Sequence, residues 1–441
     1  MQTALLICNI LAGVIGALYA YRVIFAVIGA FATKRFPPAK QAHRYAVLVA
    51  ARNEETVVGN LLRSIAEQDY PADQLTVFVV ADNCSDRTAE IARREGAICY
   101  ERFDTERCTK GYALEFLFAN IERDYGIQSF EGYFLFDADN LLRHDFIRLM
   151  NDAFDSGEKV VVSYRNTKNL GDGWLSAGYA LHWLRTCRIE HCGRSLLGIS
   201  SRIQGTGFLF ATEFVKDGWH YTSLTEDRAF SSDIVTQGAT IAYQHEAQFY
   251  DEQPNSLRVA FRQRLRWAKG HLQAFTETAG ALIRGIFRKG GLAKRVSCYD
   301  MLTTNMPTAV VTIPIKLVEV GLIVYLCIAE GRFSSEWFLL LFDVLKLLIF
   351  EHFGVIPMGL LICFLERKRM KKLKWYQYLW YSLMFPVFGM IGDVATLIAV
   401  FTKVTWKPIP HNSNVCIEEL ESDPPSKEEK QEPVGAPVGR S

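Results

Sequence analysis

Apolar residues follow two rhythms along this chain. From Ala4 to Ala32 only Asn9 and Arg22 interrupt an apolar run long enough to cross a bilayer, and comparable runs return at Met301–Ala329, Trp337–Leu365 and Tyr376–Phe401. Between the first run and the others, short apolar segments alternate with amphipathic ones. Strands are predicted at Tyr45–Ala50, Leu75–Ala81, Ala97–Tyr100, Tyr133–Phe136, Val160–Tyr164 and Ala239–His245. Helices are predicted at Asn53–Gln68, Thr88–Glu95, Lys110–Tyr125, Trp174–Cys192 and Ser256–Phe275. Strand–helix repetition at this spacing argues an α/β domain with a mostly parallel sheet, in which ligands sit at the carboxyl ends of strands. Asn53, Asp82 and Asp139 each follow a strand end, so they are expected to converge on one cleft.

The flanks read as membrane. Met1-Gln2-Thr3 carries no positive charge and no small-residue cleavage site follows the first run, so an uncleaved anchor is expected rather than a signal peptide. Lys34, Arg35 and Lys40 mark its cytoplasmic side, as does the basic stretch Glu366–Lys374 between the last two runs. Asp343, Lys346, Glu351 and His352 fall inside the third run and read as polar lining or mutual pairing. Three complete later spans would put the chain's end outside, whereas Val404-Thr405-Trp406-Lys407 reads as a segment working against the catalytic face; both topologies stay open. Beyond His411 the chain is rich in Pro, Glu, Ser and Lys, and disorder is expected. The expected organisation is therefore anchor and linker at 1–40, a cytosolic catalytic domain at 41–298, membrane helices at 299–402 and a disordered tail at 403–441.

Composition narrows the class. A formal charge of +1 over 441 residues supplies no field for nucleic acid. The ten cysteines include no CxxC pair, which suits a reduced, cytosolic domain. Cys187 and Cys192, with His182 and His191 nearby, lack the tight pairing of structural zinc sites and read as ordinary helix.

Candidate chemistry centres on Tyr133–Asn140. An apolar strand runs into Asp137 and Asp139, spaced i, i+2 so that both can face one way off its carboxyl end. Such oxygen ligands suit Mg²⁺ or Mn²⁺ shared with substrate phosphates. A dinucleotide fold would need Gly-x-Gly-x-x-Gly after the first strand; Ala50-Ala51-Arg52-Asn53-Glu54 has no glycine, which argues against NAD. Gly205-Thr206-Gly207 lies far downstream and alone reads as a tight turn, while the small, then apolar stretch Gln204–Ala211 is consistent with backbone passing close to a ligand. In the last soluble helix Gln263, Arg266 and Trp267 share one face. Spacing alone allows these three to grip a diphosphate and a sugar, and equally allows a snorkelling Arg–Trp pair at a membrane surface.

Taken in order, Asp82, Asp137-Ala138-Asp139, Thr225-Glu226-Asp227 and Gln263-Arg264-Leu265-Arg266-Trp267, flanked by apolar helices, resemble the processive family 2 glycosyltransferases. Cellulose, hyaluronan, chitin and bacterial poly-N-acetylglucosamine synthases belong to that group. The resemblance covers residues 44–290 by motif. It implies a GT-A-type nucleotide-sugar-binding fold with flanking transmembrane helices, the catalytic domain on the cytosolic side of the cell membrane. It further implies that Asn53, Glu54 and Asp82 hold uridine, that Lys110 approaches the nucleotide, and that Asp137 helps hold the diphosphate. Asp139 would bind Mg²⁺ or Mn²⁺, Asp227 would be the general base, and Gln263 and Arg266 would face the diphosphate. Trp267 would form the floor under the acceptor, with Glu226 in support. The implied reaction is inverting transfer from UDP-N-acetylglucosamine or UDP-glucose to a growing β-linked polysaccharide, the alternative being one sugar added to a lipid carrier. Thr402-Lys403-Val404-Thr405-Trp406-Lys407 parallels the Phe-x-Val-Thr-x-Lys gating segment of cellulose synthases but lacks its Phe, a departure that counts against gating.

Overall fold

The computed structural model describes residues 2–306, 308–329, 354–370, 373–406, 411 and 413–421, opening with the helices α1 (Gln2–Tyr19) and α2 (Arg22–Phe31). Its centre is an eight-stranded sheet of β1 (Tyr45–Ala51), β2 (Leu75–Asp82), β3 (Ile98–Arg102), β4 (Gly132–Asp137), β5 (Leu141–Leu142), β6 (Val160–Thr167), β7 (Phe208–Ala211) and β8 (Ile241–Asp251), in the order β3-β2-β1-β4-β7-β6-β8-β5. β3, β2, β1 and β4 run parallel, as do β6 and β8, while β7 is antiparallel to both its neighbours and β5 to β8.

Both faces of the sheet are covered, which is why its strands are continuously apolar instead of alternating with polar residues. Side chains nevertheless obey the period of two. Tyr45, Val47 and Val49 of β1, with Phe134 and Phe136 of β4, pack against Leu61, Ile65, Phe146, Ile147 and Met150, which lie on the helices α3 (Val58–Ala66) and α6 (Phe146–Asp155). Ala46, Leu48, Tyr133 and Leu135 point the other way, onto Leu114, Leu117 and Phe118 of α5 (Lys110–Asp124), Tyr179 of α7 (Trp174–Arg185) and Phe230 and Ile234 of α9 (Glu226–Thr236). A short helix α4 (Thr88–Arg94) joins β2 to β3, and α8 (Cys192–Leu196) follows α7.

Several elements differ from expectation for identifiable reasons. The first α/β connection does not open as helix at Asn53, because Asn53 sits at φ +57° in a turn and α3 begins at Val58. The helix predicted over 174–192 is interrupted by a π-helical turn at Thr186–His191. β8 extends past the strand end predicted at His245 and carries Asp251 into the sheet beside Thr167, after a register shift between Ser163 and Tyr164. α10 (Leu257–Phe287) continues twelve residues past Phe275. The run starting at Met301 divides: α11 (Leu292–Asn305) packs on the domain with Asp300 and Met301 buried, and the apolar α12 (Thr308–Ala329) starts after it. Of the run predicted at 337–365, only the helix Ile356–Leu365 and its flanks are described, so Asp343, Lys346, Glu351 and His352 lie outside the described residues.

Among the described residues, Leu6–Phe31 and Trp375–Phe401 are each long and apolar enough to cross a membrane. Of the stretch after residue 402, expected from its composition to be disordered, only residues 403–406, 411 and 413–421 are described. These return to the carboxyl edge of the sheet and end in a helical turn, Ile417–Glu421. Specific polar contacts outweigh composition here: His411 pairs with Glu54 at 3.0 Å, the Ser413 N–H donates to Glu252 Oε2 at 3.0 Å, and Asn60 Nδ2 donates to Asn414 Oδ1 at 2.8 Å.

Candidate active site

A cavity of about 510 Å³ lies at the carboxyl ends of β1, β2, β4 and β8, roofed by α9 and α10. Every predicted site residue except Asn53 lines it: Glu54, Asp82, Lys110, Asp137, Asp139, Glu226, Asp227, Gln263, Arg266 and Trp267. Residues far apart in sequence meet there because strand ends and the amino terminus of α9 face the same side of the sheet.

Asn53 serves the turn instead of the cavity. Its Oδ1 accepts the Ser85 N–H at 2.8 Å, tying the loop after β1 to the loop after β2. Asp82 is paired behind the cavity wall, accepting from Arg102 Nη1 at 2.6 Å and Asn83 Nδ2 at 3.1 Å, with Arg52 at 3.8 Å on its other oxygen. Trp406 covers Arg52, with the guanidinium 4.8 Å from its ring centre.

At the end of β4, Lys110 forms an ion pair with Asp137, donates to the Gly205 carbonyl at 2.8 Å and approaches Glu226 at 3.9 Å. Thr206 fixes the strand end by accepting the Asp137 N–H at 2.9 Å. The turn through Gly205-Thr206-Gly207 therefore holds the acidic motif. Gly207 is required on two counts: φ is +67°, and a Cβ there would sit 2.2 Å from the Phe249 ring.

Asp139 is buried, with Oδ2 accepting the Glu252 N–H at 2.9 Å and Oδ1 an Asn140 Nδ2–H at 3.3 Å. Burial opposes its ionisation, but His411, Lys168 and the Glu252 N–H outweigh it and hold the carboxyl below its ordinary value. The reverse holds for His411: burial works against its charge, yet Asp139, Glu54 and Glu252 hold the imidazole up to about 10. Asp251 accepts from Arg165 Nε at 2.8 Å, and Arg165 lies 3.9 Å over the Trp183 ring.

No cluster of three or more His, Cys, Asp or Glu side chains able to hold a metal occurs among the described residues, which covers the Cys187/Cys192 region. The donor set nonetheless fits a divalent cation of the Mg²⁺ or Mn²⁺ kind. An ionised Asp139 carboxylate lines the cavity, and such ions take one or two protein carboxylates and complete their shell with phosphate oxygens and water.

Glu226 and Asp227 form the first turn of α9. Burial pushes Glu226 up to about 7, with Lys110 pulling it down and Asp227 adding to the rise. Burial also raises Asp227, against Arg228, Lys110 and Arg266. Glu226 lies 3.9 Å from Lys110, which itself pairs with Asp137. On α10, Arg266 donates to the Leu224 carbonyl at 3.3 Å, tying that helix to the loop before α9. Trp267 meets Tyr179 and Trp183 edge to face, with centroids 6.0 and 5.8 Å away.

Sequence reasoning missed Arg52, Arg165, Arg202, Arg228, Asp251 and His411 as lining residues. Most are single charged residues in loops or strand ends, with no spacing to mark them. Arg264, by contrast, stood inside a motif already singled out.

The fold is of the GT-A type: an α/β domain with a mostly parallel sheet, its carboxylates gathered at the strand ends. Residues 43–270 match the model of the glycosyltransferase-like family 2, and the chain belongs to that family. A probable glycosyltransferase, YdaM, of Bacillus subtilis is 24% identical over 53% of this chain and 56% of its own length. A poly-β-1,6-N-acetyl-D-glucosamine synthase of Staphylococcus epidermidis is 25% identical over 52% of this chain and 55% of its own. A β-monoglucosyldiacylglycerol synthase of Trichormus variabilis is 24% identical over 52% and 49%. The chain spans about half the length of the curated relatives it matches. Among solved structures, the mannosyltransferase PcManGT of Pyrobaculum calidifontis, in complex with GDP-mannose and Mn²⁺, superposes with a TM-score of 0.58 over 89% of this chain and 99% of its own, at 18% identity.

Proposed function

We propose that this protein is a membrane-bound inverting glycosyltransferase that moves a sugar from a UDP-sugar, UDP-N-acetylglucosamine or UDP-glucose, to a hydroxyl presented at the cytosolic membrane face. One observation carries the reading: Asp139, Asp227 and Trp267 line a single cavity. In this scheme Glu54 and Asp82 hold the uridine side, Asp137, Lys110, Gln263 and Arg266 the diphosphate, and Asp139 the divalent cation. When bound, that cation neutralises charge developing on the departing diphosphate. Asp227 takes the proton of the attacking hydroxyl, and its raised proton affinity makes it a stronger base than an ordinary carboxylate. One displacement at the anomeric carbon turns an α-linked donor into a β-linked product.

Two acceptors fit this scheme. A growing polysaccharide is favoured by the Trp267 ring, a platform on which a sugar face could slide. A lipid-borne acceptor is favoured by the cavity's continuation along Gly389, Gly392, Asp393 and Thr396 of the apolar helix Trp375–Phe401. Membranes containing the protein, given radiolabelled UDP-sugars, should incorporate label in a metal-dependent way, and Asp139→Ala should abolish incorporation. A product ladder supports the polymer; a single labelled glycolipid supports the lipid. Metal-independent incorporation unaffected by Asp139→Ala would overturn the donor assignment.

A further inference from the structure

Past Glu226 and Asp227 the cavity changes sign. Arg202, Arg228, Arg264, His182 and His271 line it there, beside Arg266. Compensation behind them is thin. The Glu190 carboxylate is shared by Arg202 at 2.8 Å, Arg185 at 3.0 Å and Arg194 at 3.2 Å. Asp300 takes Arg194 at 2.7 Å and Arg22 at 3.7 Å. Arg228 reaches the Asn305 amide oxygen at 3.4 Å and, among the described residues, no carboxylate within ion-pair distance. Arg264 lies 3.8 Å over the Phe388 ring and 5.1 Å from that of Tyr179, and among the described residues its one carboxylate counterweight is Asp393 across the cavity, too little to offset its burial.

Crowding of like charge is visible in the proton affinities. Burial first, then Arg194, Arg228 and Arg22, press Arg202 down to about 10 against the pull of Glu190. Burial with Arg228, Arg202 and His182 holds His271 neutral, so its ring offers an N–H donor without further charge. A group of buried guanidiniums with too few carboxylates is costly unless an anion completes it. Guanidinium forks match phosphate oxygens in particular.

The other wall of this region is the helix Trp375–Phe401. Gly389, Gly392, Asp393 and Thr396 recur at helical spacing on one face and line the cavity. Gly392 lets the Arg264 side chain lie against that helix, since a Cβ would sit 2.6 Å from Arg264 Nη1. The cationic region thus borders a helix apolar enough to meet lipid, which favours a ligand with an anionic group on an apolar body.

The position of Asp227 adds a constraint. A bare phosphate nucleophile needs no base, whereas a hydroxyl does. We propose that the acceptor is a phospholipid whose headgroup carries a hydroxyl close to its phosphodiester, with Arg202, Arg228, Arg264 and His271 taking the phosphate and Asp227 facing the hydroxyl. In the transfer, the hydroxyl oxygen bonds to the anomeric carbon as the bond from that carbon to the diphosphate oxygen breaks. The proton passes to Asp227 and UDP leaves. This rests on the lipid-borne reading of the acceptor given above.

The full chain in phosphatidylcholine nanodiscs, supplied with a labelled UDP-sugar and Mn²⁺, tests it. Four probes are added separately: phosphatidylglycerol, diacylglycerol, undecaprenyl phosphate and soluble glycerol phosphate. Label should enter phosphatidylglycerol alone. Arg228→Gln should raise the KM for that lipid about tenfold or more, the weight of one charge-assisted hydrogen bond. UDP affinity, read by calorimetry, should not move, and Arg228→Lys should restore most of the lipid response. Label in diacylglycerol, undecaprenyl phosphate, the soluble ester or a polymer overturns the proposal, as does donor hydrolysis to water with no probe labelled. Weakened UDP binding in both Arg228 variants overturns it too, by assigning the cluster to the donor. Absence of UDP binding and of donor turnover in the unaltered protein is a different outcome, which refutes the transferase reading itself.

Discussion

Replacing Asp227 by Asn removes a charge and almost no volume. Asp227 stands in the first turn of α9, and burial raises its proton affinity against the pull of Arg228, Lys110 and Arg266. The variant therefore sheds a charge that costs desolvation in the free enzyme, so folding and UDP binding should survive. Transfer should not. A positioned general base contributes roughly 10²–10⁴-fold, or about 2.7–5.4 kcal/mol at about 1.36 kcal/mol per decade. The sign of the pH effect follows from burial: a base whose folded-state pKa is raised loses its reactive form as pH falls through that raised value. The acid limb of kcat/KM in the unaltered enzyme should lie above the ordinary carboxylate range and vanish in Asp227→Asn. Single-turnover transfer of labelled sugar, with UDP titration by calorimetry beside it, reads both quantities. A loss below about tenfold would mean that the proton goes elsewhere, and a matching loss of UDP affinity would mean that Asp227 serves the donor.

Other consequences are open to direct test. Asp139→Ala should abolish Mn²⁺-dependent binding of UDP-sugar while thermal unfolding shows the domain intact; unchanged metal dependence would refute the metal assignment. Gly207→Ala should destabilise the domain by about 1–3 kcal/mol, through a strained φ and the Phe249 ring; an unchanged Tm would contradict the local geometry. The His411–Glu54 contact at 3.0 Å depends on a protonated imidazole. With the His411 pKa raised to about 10, that contact contributes fully below the ordinary imidazole value and is lost as pH rises through about 10. His411→Ala should therefore speed proteolysis within residues 403–421 at neutral pH, and equal cleavage rates would show that the contact does not hold the segment.

How much of this was legible in the sequence depended on whether the signal was periodic or solitary. β1, β2 and β4 stood out because strands covered on both faces read as unbroken apolar runs, and Asp137 and Asp139 because the period of two puts them at a strand's end. Gln263, Arg266 and Trp267 were recognisable as one face of α10 from spacing alone. His411 could not be seen, since the Pro- and Glu-rich stretch around it has the composition of an unfolded segment, and only the acidic edge formed by Glu54, Asp139 and Glu252 gives it a place. Arg202 and Arg228 were equally silent: an isolated arginine has no period, and their proximity arises where the loop before β7 docks on α9, with the Ile203 N–H donating to Ser231 Oγ at 3.0 Å. Asn53 stands off the cavity lining because a strand end names a neighbourhood, whereas the left-handed turn decides which way its side chain points.

The central claim is a single displacement assisted by Asp227 on a cation-held UDP-sugar. Its most direct measurement is the anomeric configuration of the product formed from an α-linked donor carrying ¹³C at C1, read by the C1–H1 coupling in NMR. A β-linked product is predicted; an α-linked product would contradict the account.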